Sequence, residues 1–232
     1  MDSLLATELS ADTLAALQAH LKTQEGQKDA TVAEDFRLSQ FWYDDRTGRA
    51  LAQEAIEQSK EMRIAFVSTP AAYRAFVQIQ DESDSRVDGD RVFLFEYDRR
   101  FDDKYGPHFV FYDYNEPTKL PAKFHRFFDY VLVDPPYLNA DCMSKFAETM
   151  RWLAKDVEVV PGKRDRILNP CTFITARMLR QDIDANLGFK PSGFTPTFAS
   201  KLSNQFLTYT NYTSDRFGPS AEDFGDSSGD EK

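Results

Sequence analysis

Asp134-Pro135-Pro136-Tyr137 follows directly on the apolar run Tyr130-Val131-Leu132-Val133. The run has the composition of a short buried strand, and the tetrapeptide ends it. Proline fixes φ and has no N–H, so two in succession rule out both a continuing ladder and a tight helical turn. The carbonyls of Asp134 and Pro135 are thereby held still and left free to accept hydrogen bonds. A carboxylate, a rigid carbonyl and an aromatic face converge where the strand ends. An amine needs such a set if its lone pair is to be aimed at an electrophile. The same residues also make an ordinary strand-to-loop stop, so the weight of the motif depends on its surroundings.

Those surroundings repeat one feature. An earlier β-like run ends in Val67-Ser68-Thr69-Pro70, the next in Glu96-Tyr97-Asp98, and a third in Asp113-Tyr114-Asn115. Three successive runs, the last closing at Asp134, therefore finish with an acid. In open α/β sheets ligands lie beyond the carboxyl ends of the strands, near the topological switch point. A carboxylate after the second strand can accept both hydroxyls of a ribose, and one after the third can accept an exocyclic amine. A single strand-end acid is more often a solvated cap; the series is harder to dismiss.

The elements that must position these residues alternate along the chain. Helical stretches are predicted over 49–60 (after Gly48), 71–80, 140–154 and 176–187, the last closed by Gly188. Strands are predicted over 63–67, 91–97, 109–112 and 130–133, with a fifth inside 166–175. Two late runs, 193–199 and 205–212, read as a terminal antiparallel pair. Strands alternating with helices imply a mostly parallel sheet covered on both faces, an α/β domain. Residues 1–35 look like an attachment. Ser10 can cap a helix over 11–22 with an apolar stripe of Leu14, Leu17 and Leu21, followed by a polar linker. The expected domain covers 36–214, and the Gly-, Ser- and Asp-rich residues 215–232 are expected to be a disordered acidic tail.

Composition narrows the function. The chain has 232 residues, 41% of them hydrophobic and 14% aromatic, enough for one sizeable core. No apolar stretch approaches the ~20 residues that cross a bilayer, and residues 1–9 lack a basic leader region. The two cysteines, Cys142 and Cys171, and three scattered histidines make no metal spacing. Residues 81–90 carry five acids, but their spacing fits no metal loop, so no metal is expected. The reading is a soluble cytoplasmic protein. Net charge is −10, and it is still −6 without the six acids and two bases of 215–232. That balance opposes a phosphate backbone and favours a basic partner.

With these residues in view, the sequence resembles the class I, seven-strand, S-adenosylmethionine-dependent methyltransferases of the amino-methylating branch, marked by [Asp/Asn/Ser]-Pro-Pro-[Tyr/Phe]. More narrowly it is similar to the elongation factor 1-alpha lysine methyltransferases, formerly described as putative N6-adenine DNA methyltransferases. The likeness rests on Leu38-Ser39-Gln40-Phe41-Trp42-Tyr43, Arg63-Ile64-Ala65-Phe66-Val67-Ser68-Thr69-Pro70, Phe95-Glu96-Tyr97-Asp98, Phe111-Tyr112-Asp113-Tyr114-Asn115 and Val133-Asp134-Pro135-Pro136-Tyr137-Leu138, with Asn204-Gln205-Phe206 and Asn211-Tyr212 near the end. The resemblance implies a Rossmann-like seven-stranded sheet with helices on both faces and S-adenosyl-L-methionine as cofactor. It departs from the broad superfamily in having Ser68-Thr69-Pro70 where a glycine loop usually stands, and the narrower family shares that departure.

Residue by residue, the resemblance implies cofactor contacts from Gln40, Phe41, Trp42 and Tyr43 as a lid. Ser68, Thr69 and Pro70 follow from the first turn, and Glu96, Asp98 and Asp113 from the strand ends. Asp134, Pro135, Pro136 and Tyr137 would carry the transfer. Which of Glu96 and Asp98 holds the ribose stays open. The acceptor set at Asp134 serves a lysine amine and an adenine N6 amine equally, so the motif does not choose between them. Net charge and the lack of a basic stripe favour a protein substrate, elongation factor 1-alpha, with nucleic acid and membrane disfavoured. Adenine methylation is the alternative. A non-catalytic methyltransferase-like adaptor is a third reading, which the missing glycines favour and the intact Asp134-Pro135-Pro136-Tyr137 opposes.

Overall fold

The structure, a computed structural model, describes residues 32, 40–83, 89–199 and 205–219. The expected helix over 11–22, most of the linker, Ser39, residues 84–88, Asn204 and the tail beyond 219 lie outside them. The chain divides into two compact units, Met1–Ala33 and Glu34–Lys232. The sheet and all its helices belong to the second.

The frame of that unit is a seven-stranded sheet. The strands that matter most are β1 (Ile64–Val67), β2 (Val92–Glu96), β3 (Phe109–Phe111) and β4 (Tyr130–Val133). After the short β5 (Val157–Glu158) and β6 (Arg166–Ile167) come β7 (Cys171–Ala176), β8 (Lys190–Pro191) and β9 (Phe206–Thr210). The order across the sheet is β3-β2-β1-β4-β7-β9-β8. β1, β2, β4 and β7 are buried along their whole length. Continuous apolar runs, not alternating ones, are what parallel strands covered on both faces require. β1 pairs in parallel with β2 on one side and β4 on the other, Ile64 standing opposite both Val92 and Tyr130. The chain winds outward through β2 and β3, then returns to lay β4 on the far side of β1. The carboxyl ends of β1 and β4 therefore flank the switch point.

Helices cover both faces. α1 (Asp45–Gln58) and α2 (Pro70–Glu82) lie on one face, where Phe66 meets Tyr73 and Phe76 at 5.6 and 5.7 Å between ring centroids. The short α3 (Arg100–Tyr105) follows β2. α4 (Ala140–Leu153) and α5 (Arg180–Leu187) lie on the other face, bringing Phe146, Met150 and Ile183 against Val67, Phe95, Val133 and Phe173.

Three expectations are corrected. α1 begins at Asp45, before Gly48, because the Asp44 side chain caps it by accepting the Thr47 N–H at 2.8 Å. Gly48 lies inside this helix on the side facing α2, where a Cβ would make ordinary contact with the Ala71 carbonyl oxygen at 3.4 Å. The fifth strand expected inside 166–175 is present as β7; Pro170, which has no N–H to donate, separates it from β6, which pairs with β5 in a separate antiparallel sheet. The terminal antiparallel partners of β9 are β7 and the two-residue β8. Residues 193–199 form no strand: Pro196 interrupts them, and Phe198 alone makes an antiparallel bridge, to Tyr43.

Nor does the expected tail begin at 215 as loose chain. Phe217 is buried and stacks on Phe194 at 5.0 Å, and its N–H donates to Ser214 Oγ at 2.9 Å. Arg216 ion-pairs with Glu57 of α1. An apolar ring and a paired guanidinium hold this stretch despite its polar composition. Among the described residues no helix is long and apolar enough to cross a membrane.

Candidate functional site

The turn after β1 opens the site. Ser68 takes the left-handed conformation, φ 52°, while its N–H continues towards β2 by donating to the Phe95 carbonyl at 2.8 Å. Such a backbone favours glycine, and a serine held there carries strain of order 1–3 kcal/mol. The strain appears where the broad superfamily has glycines. Thr69 precedes α2 without capping it, and its Oγ1 is buried with no hydrogen-bond partner among the described residues. Pro70 stands at the first turn of α2, so the helix N-terminus is directed by a rigid step.

This turn lines a cavity of about 420 Å³ at the carboxyl edge of the sheet. The cavity brings together Gln40, Phe41 and Tyr43 from the segment before α1 with Ser68, Thr69 and Pro70. Glu96, Asp113, Asp134, Pro135, Pro136 and Tyr137 complete the expected set that reaches it. β4 runs straight into the tetrapeptide: the Asp134 N–H donates to the Val67 carbonyl at 3.1 Å, extending the ladder by one bond before the prolines end it. Asn139 then caps α4 by accepting the Cys142 N–H at 2.9 Å. The loop is clamped at both ends.

Two expected residues do not line the cavity. Asp98 accepts from the Arg100 backbone N–H at 3.0 Å and from its guanidinium at 2.6–2.9 Å. Burial raises its pKa, but the Arg100 bonds win and hold the carboxyl below its ordinary value. With both oxygens taken, Asp98 orders the turn after β2. Trp42 faces the other way, edge-on to Phe101 at 6.2 Å and with the Arg74 guanidinium 4.7 Å above its ring.

Two of the three carboxylates that line the cavity, Glu96 and Asp134, are electrostatically alike. Glu96 is pushed up to about 7, by burial first and then by the Asp98 charge, against hydrogen bonds that lower it. Those bonds come from the Tyr97 and Asp98 N–H groups to Oε1, at 2.8 and 3.2 Å. Asp134 is also raised to about 7, again by burial first and by the nearby Glu96 charge, while a bond from the Tyr43 phenol acts the other way. The Tyr43 O–H donates to Asp134 Oδ2 across 91 positions of sequence. Asp113 is braced by Asn115, whose backbone and side-chain N–H groups donate to Oδ1 at 2.9 and 3.1 Å.

The chemistry such a site offers is polar recognition inside an aromatic enclosure. Tyr112, Tyr114, Phe146, Phe198 and Phe206 also line the cavity, beyond the residues expected from sequence. Tyr114 lies between Asp113 and Asn115 in a motif that sequence alone marks, and its ring meets Tyr137 at 5.8 Å. Phe206 closes a motif of the same kind. Phe198 has no local signal, because its place depends on the bridge to Tyr43. Among the described residues no cluster of three or more His, Cys, Asp or Glu could hold a metal ion.

Comparison with known proteins agrees with this architecture. A protein-family model described as "Probable N6-adenine methyltransferase" matches residues 34–214. "EEF1A lysine methyltransferase 1" of Mus musculus is 37% identical over 218 residues, covering 89% of this chain and 92% of that protein. The Gallus gallus protein of the same name is 38% identical over 221 residues, covering 89% and 94%. "Protein-lysine N-methyltransferase EFM5" of Saccharomyces cerevisiae is 34% identical over 194 residues, covering 82% and 76%. Matches of this identity, covering most of both partners, leave one assignment: this chain belongs to the methyltransferase family that contains these proteins.

Proposed function

We propose that this protein is an S-adenosylmethionine-dependent protein-lysine N-methyltransferase acting on elongation factor 1-alpha in the cytoplasm. The observation that carries the reading is the near full-length likeness to relatives named for that activity. The cavity fits the cofactor. Its volume, about 420 Å³, lies in the range of small-molecule sites. The Glu96 carboxylate can accept ribose hydroxyls, and the unpartnered Thr69 Oγ1, beside the N-terminus of α2, suits a polar amino-acid end. Asp113 is an acceptor for an exocyclic amine.

When bound, the cofactor supplies a methyl group made electrophilic by a positive sulfur. The chain's own residues prepare the amine. A free lysine has a pKa of about 10.4 and attacks only after losing a proton. A carboxylate raised to about 7, such as Asp134, is a stronger proton acceptor than an ordinary one, so it can both take the N–H bond and draw off the proton. The Pro135 carbonyl, its orientation restricted by the following Pro136, takes a second N–H and leaves the lone pair aimed into the cavity. Tyr137, Phe198 and Phe206 wall the site and keep water from the amine. Alignment and desolvation then supply most of the rate.

Transfer of labelled methyl from S-adenosylmethionine to purified elongation factor 1-alpha tests the reading. Labelling is expected to survive nuclease, slow with added salt and vanish when the target lysine becomes arginine. Salt acts because screening shortens electrostatic reach to about 8 Å at physiological strength. A second reading, N6-adenine methylation, is favoured by the description of the matching family model. Methylated adenine in purified DNA or RNA, with no labelled protein, would select it. Calorimetry showing no cofactor binding would select the adaptor instead.

A further inference from the structure

We propose that Tyr43 is the positioning residue of Asp134: its phenol pins one carboxylate oxygen so that the other is presented to the substrate amine in a fixed direction. The inference rests on the reading of Asp134 as the acceptor for that amine, and it gives Tyr43 a task different from closing a lid over the cofactor.

The geometry is built from both sides. A carboxylate has two equivalent oxygens and a soft terminal torsion, so a single strand-end aspartate does not by itself point anywhere. The Tyr43 O–H donates to Oδ2, and no described residue donates to Oδ1. Tyr43 in turn is only 2% exposed and cannot swing. Its ring packs on Phe198 at 4.9 Å, and its backbone bridges the same residue. On one side Ala199 N–H donates to the Trp42 carbonyl at 3.0 Å; on the other Asp44 N–H donates to the Thr197 carbonyl at 3.1 Å. Thr197 N–H is held by Thr47 Oγ1 at 3.0 Å, which fastens this strip to α1. A donor anchored by strand-like pairing and helix capping is the rigid support that a pre-organised site requires.

The phenol also stays a donor over the working pH range. Burial, then the Asp134 charge, push its own pKa well up, so it does not ionise beside the carboxylate. Of the ionisable groups lining the cavity, Glu96 and Tyr43 act on Asp134, in opposite directions. Asp113 and the phenols Tyr97, Tyr112, Tyr114 and Tyr137 complete the set.

Tyr43→Phe keeps the ring and its packing on Phe198 while deleting the donor. The expected outcome is a kcat lowered roughly ten- to a hundredfold near neutral pH, as loss of one bond to a charged acceptor implies, with cofactor KM little changed. The acid limb of the pH profile should move to higher pH, because the bond that favours ionised Asp134 is gone, and part of the rate should return in alkaline buffer. Carboxyl-carbon NMR titration of the cofactor-free protein gives a readout independent of turnover: the Asp134 midpoint should rise in Tyr43→Phe and fall in Glu96→Gln. An unchanged titration and pH profile in Tyr43→Phe, with Asp134→Asn inactive, would overturn the positioning role alone. Wild-type turnover in Asp134→Asn would overturn the reading of Asp134 as well.

Discussion

One strand carries an aspartate at each end, and the two live differently. Asp129, just before β4, is buried and saturated: it accepts from Ser59 Oγ at 2.5 Å, from the Arg63 N–H at 3.1 Å and from the Glu61 N–H. Asp134, just after β4, has one phenol and a neighbouring carboxylate. Asp129 ties the amino edge of the sheet to the end of α1 and the entry of β1. Asp134 is left with capacity to spare at the carboxyl edge, beside a strained Ser68 and an orphaned Thr69 hydroxyl. Unmet hydrogen-bonding capacity in a closed place is costly to the fold unless a ligand uses it. The amino edge is finished by folding; the carboxyl edge keeps polar capacity that a ligand could use.

Substitutions at the two ends should separate these roles. Asp134→Ala is expected to lower methyl transfer by roughly a hundred- to ten-thousandfold, the range for a group that handles the proton, while cofactor affinity and fold persist. Near-normal turnover would end the contrast. Asp129→Ala should do the reverse: it orphans three donors and should cost about 2–4 kcal/mol in urea unfolding, with turnover per folded molecule retained. Glu96→Gln sharpens the comparison within the site. It should weaken cofactor binding roughly tenfold or more, the equivalent of about 1.4 kcal/mol.

The same variant should be more heat-stable than wild type at pH 8. Glu96 and Asp134, ordinarily at 4.5 and 3.8, both rise to about 7 in the fold, so the folded state favours their protons. The unfolded chain releases those protons first; stability therefore falls as pH rises from about 4 to about 7 and stays lower above. Glu96→Gln removes one such group, and each kcal/mol recovered should raise Tm by about 2–4 °C for a domain of this size. A lower Tm at pH 8 would show that the Gln amide disturbs the turn at Tyr97. Methyl transfer in the wild type should fall as pH drops through about 7. The smallest effect concerns the terminus: deleting residues 220–232 should change the rate less than about twofold, since residual surface charge acts weakly at physiological salt. Removing 215–219 as well should destabilise the protein, because Arg216 and buried Phe217 go with it.

What was legible in the chain was local. The strands announced themselves as apolar runs ended by Pro or Asp, and the match of Tyr130–Val133 is residue for residue. The strand-end acids came with them, since a parallel sheet must bring the carboxyl ends of β1, β2, β3 and β4 to one edge. The choice between Glu96 and Asp98 was half legible: Arg100 stands two positions after Asp98, but that it folds back onto both oxygens is a matter of the turn.

What only the tertiary structure decided lies in pairs far apart in sequence. In the chain Tyr43 is one of three similar aromatics; the fold sends its phenol to Asp134 and turns Trp42 towards Arg74 and Phe101. Phe198, in a run that pattern alone would make a strand, becomes a cavity wall through a single bridge. Phe217, in a segment polar enough to look unfolded, is buried by a partner, Phe194, some twenty positions earlier. Hydrophobic period and proline placement fix which segments form strands and where they stop, because those depend on near neighbours. Which polar groups are satisfied and which are left wanting depends on contacts that exist only once the sheet has closed, and that difference separates Asp134 from Asp129.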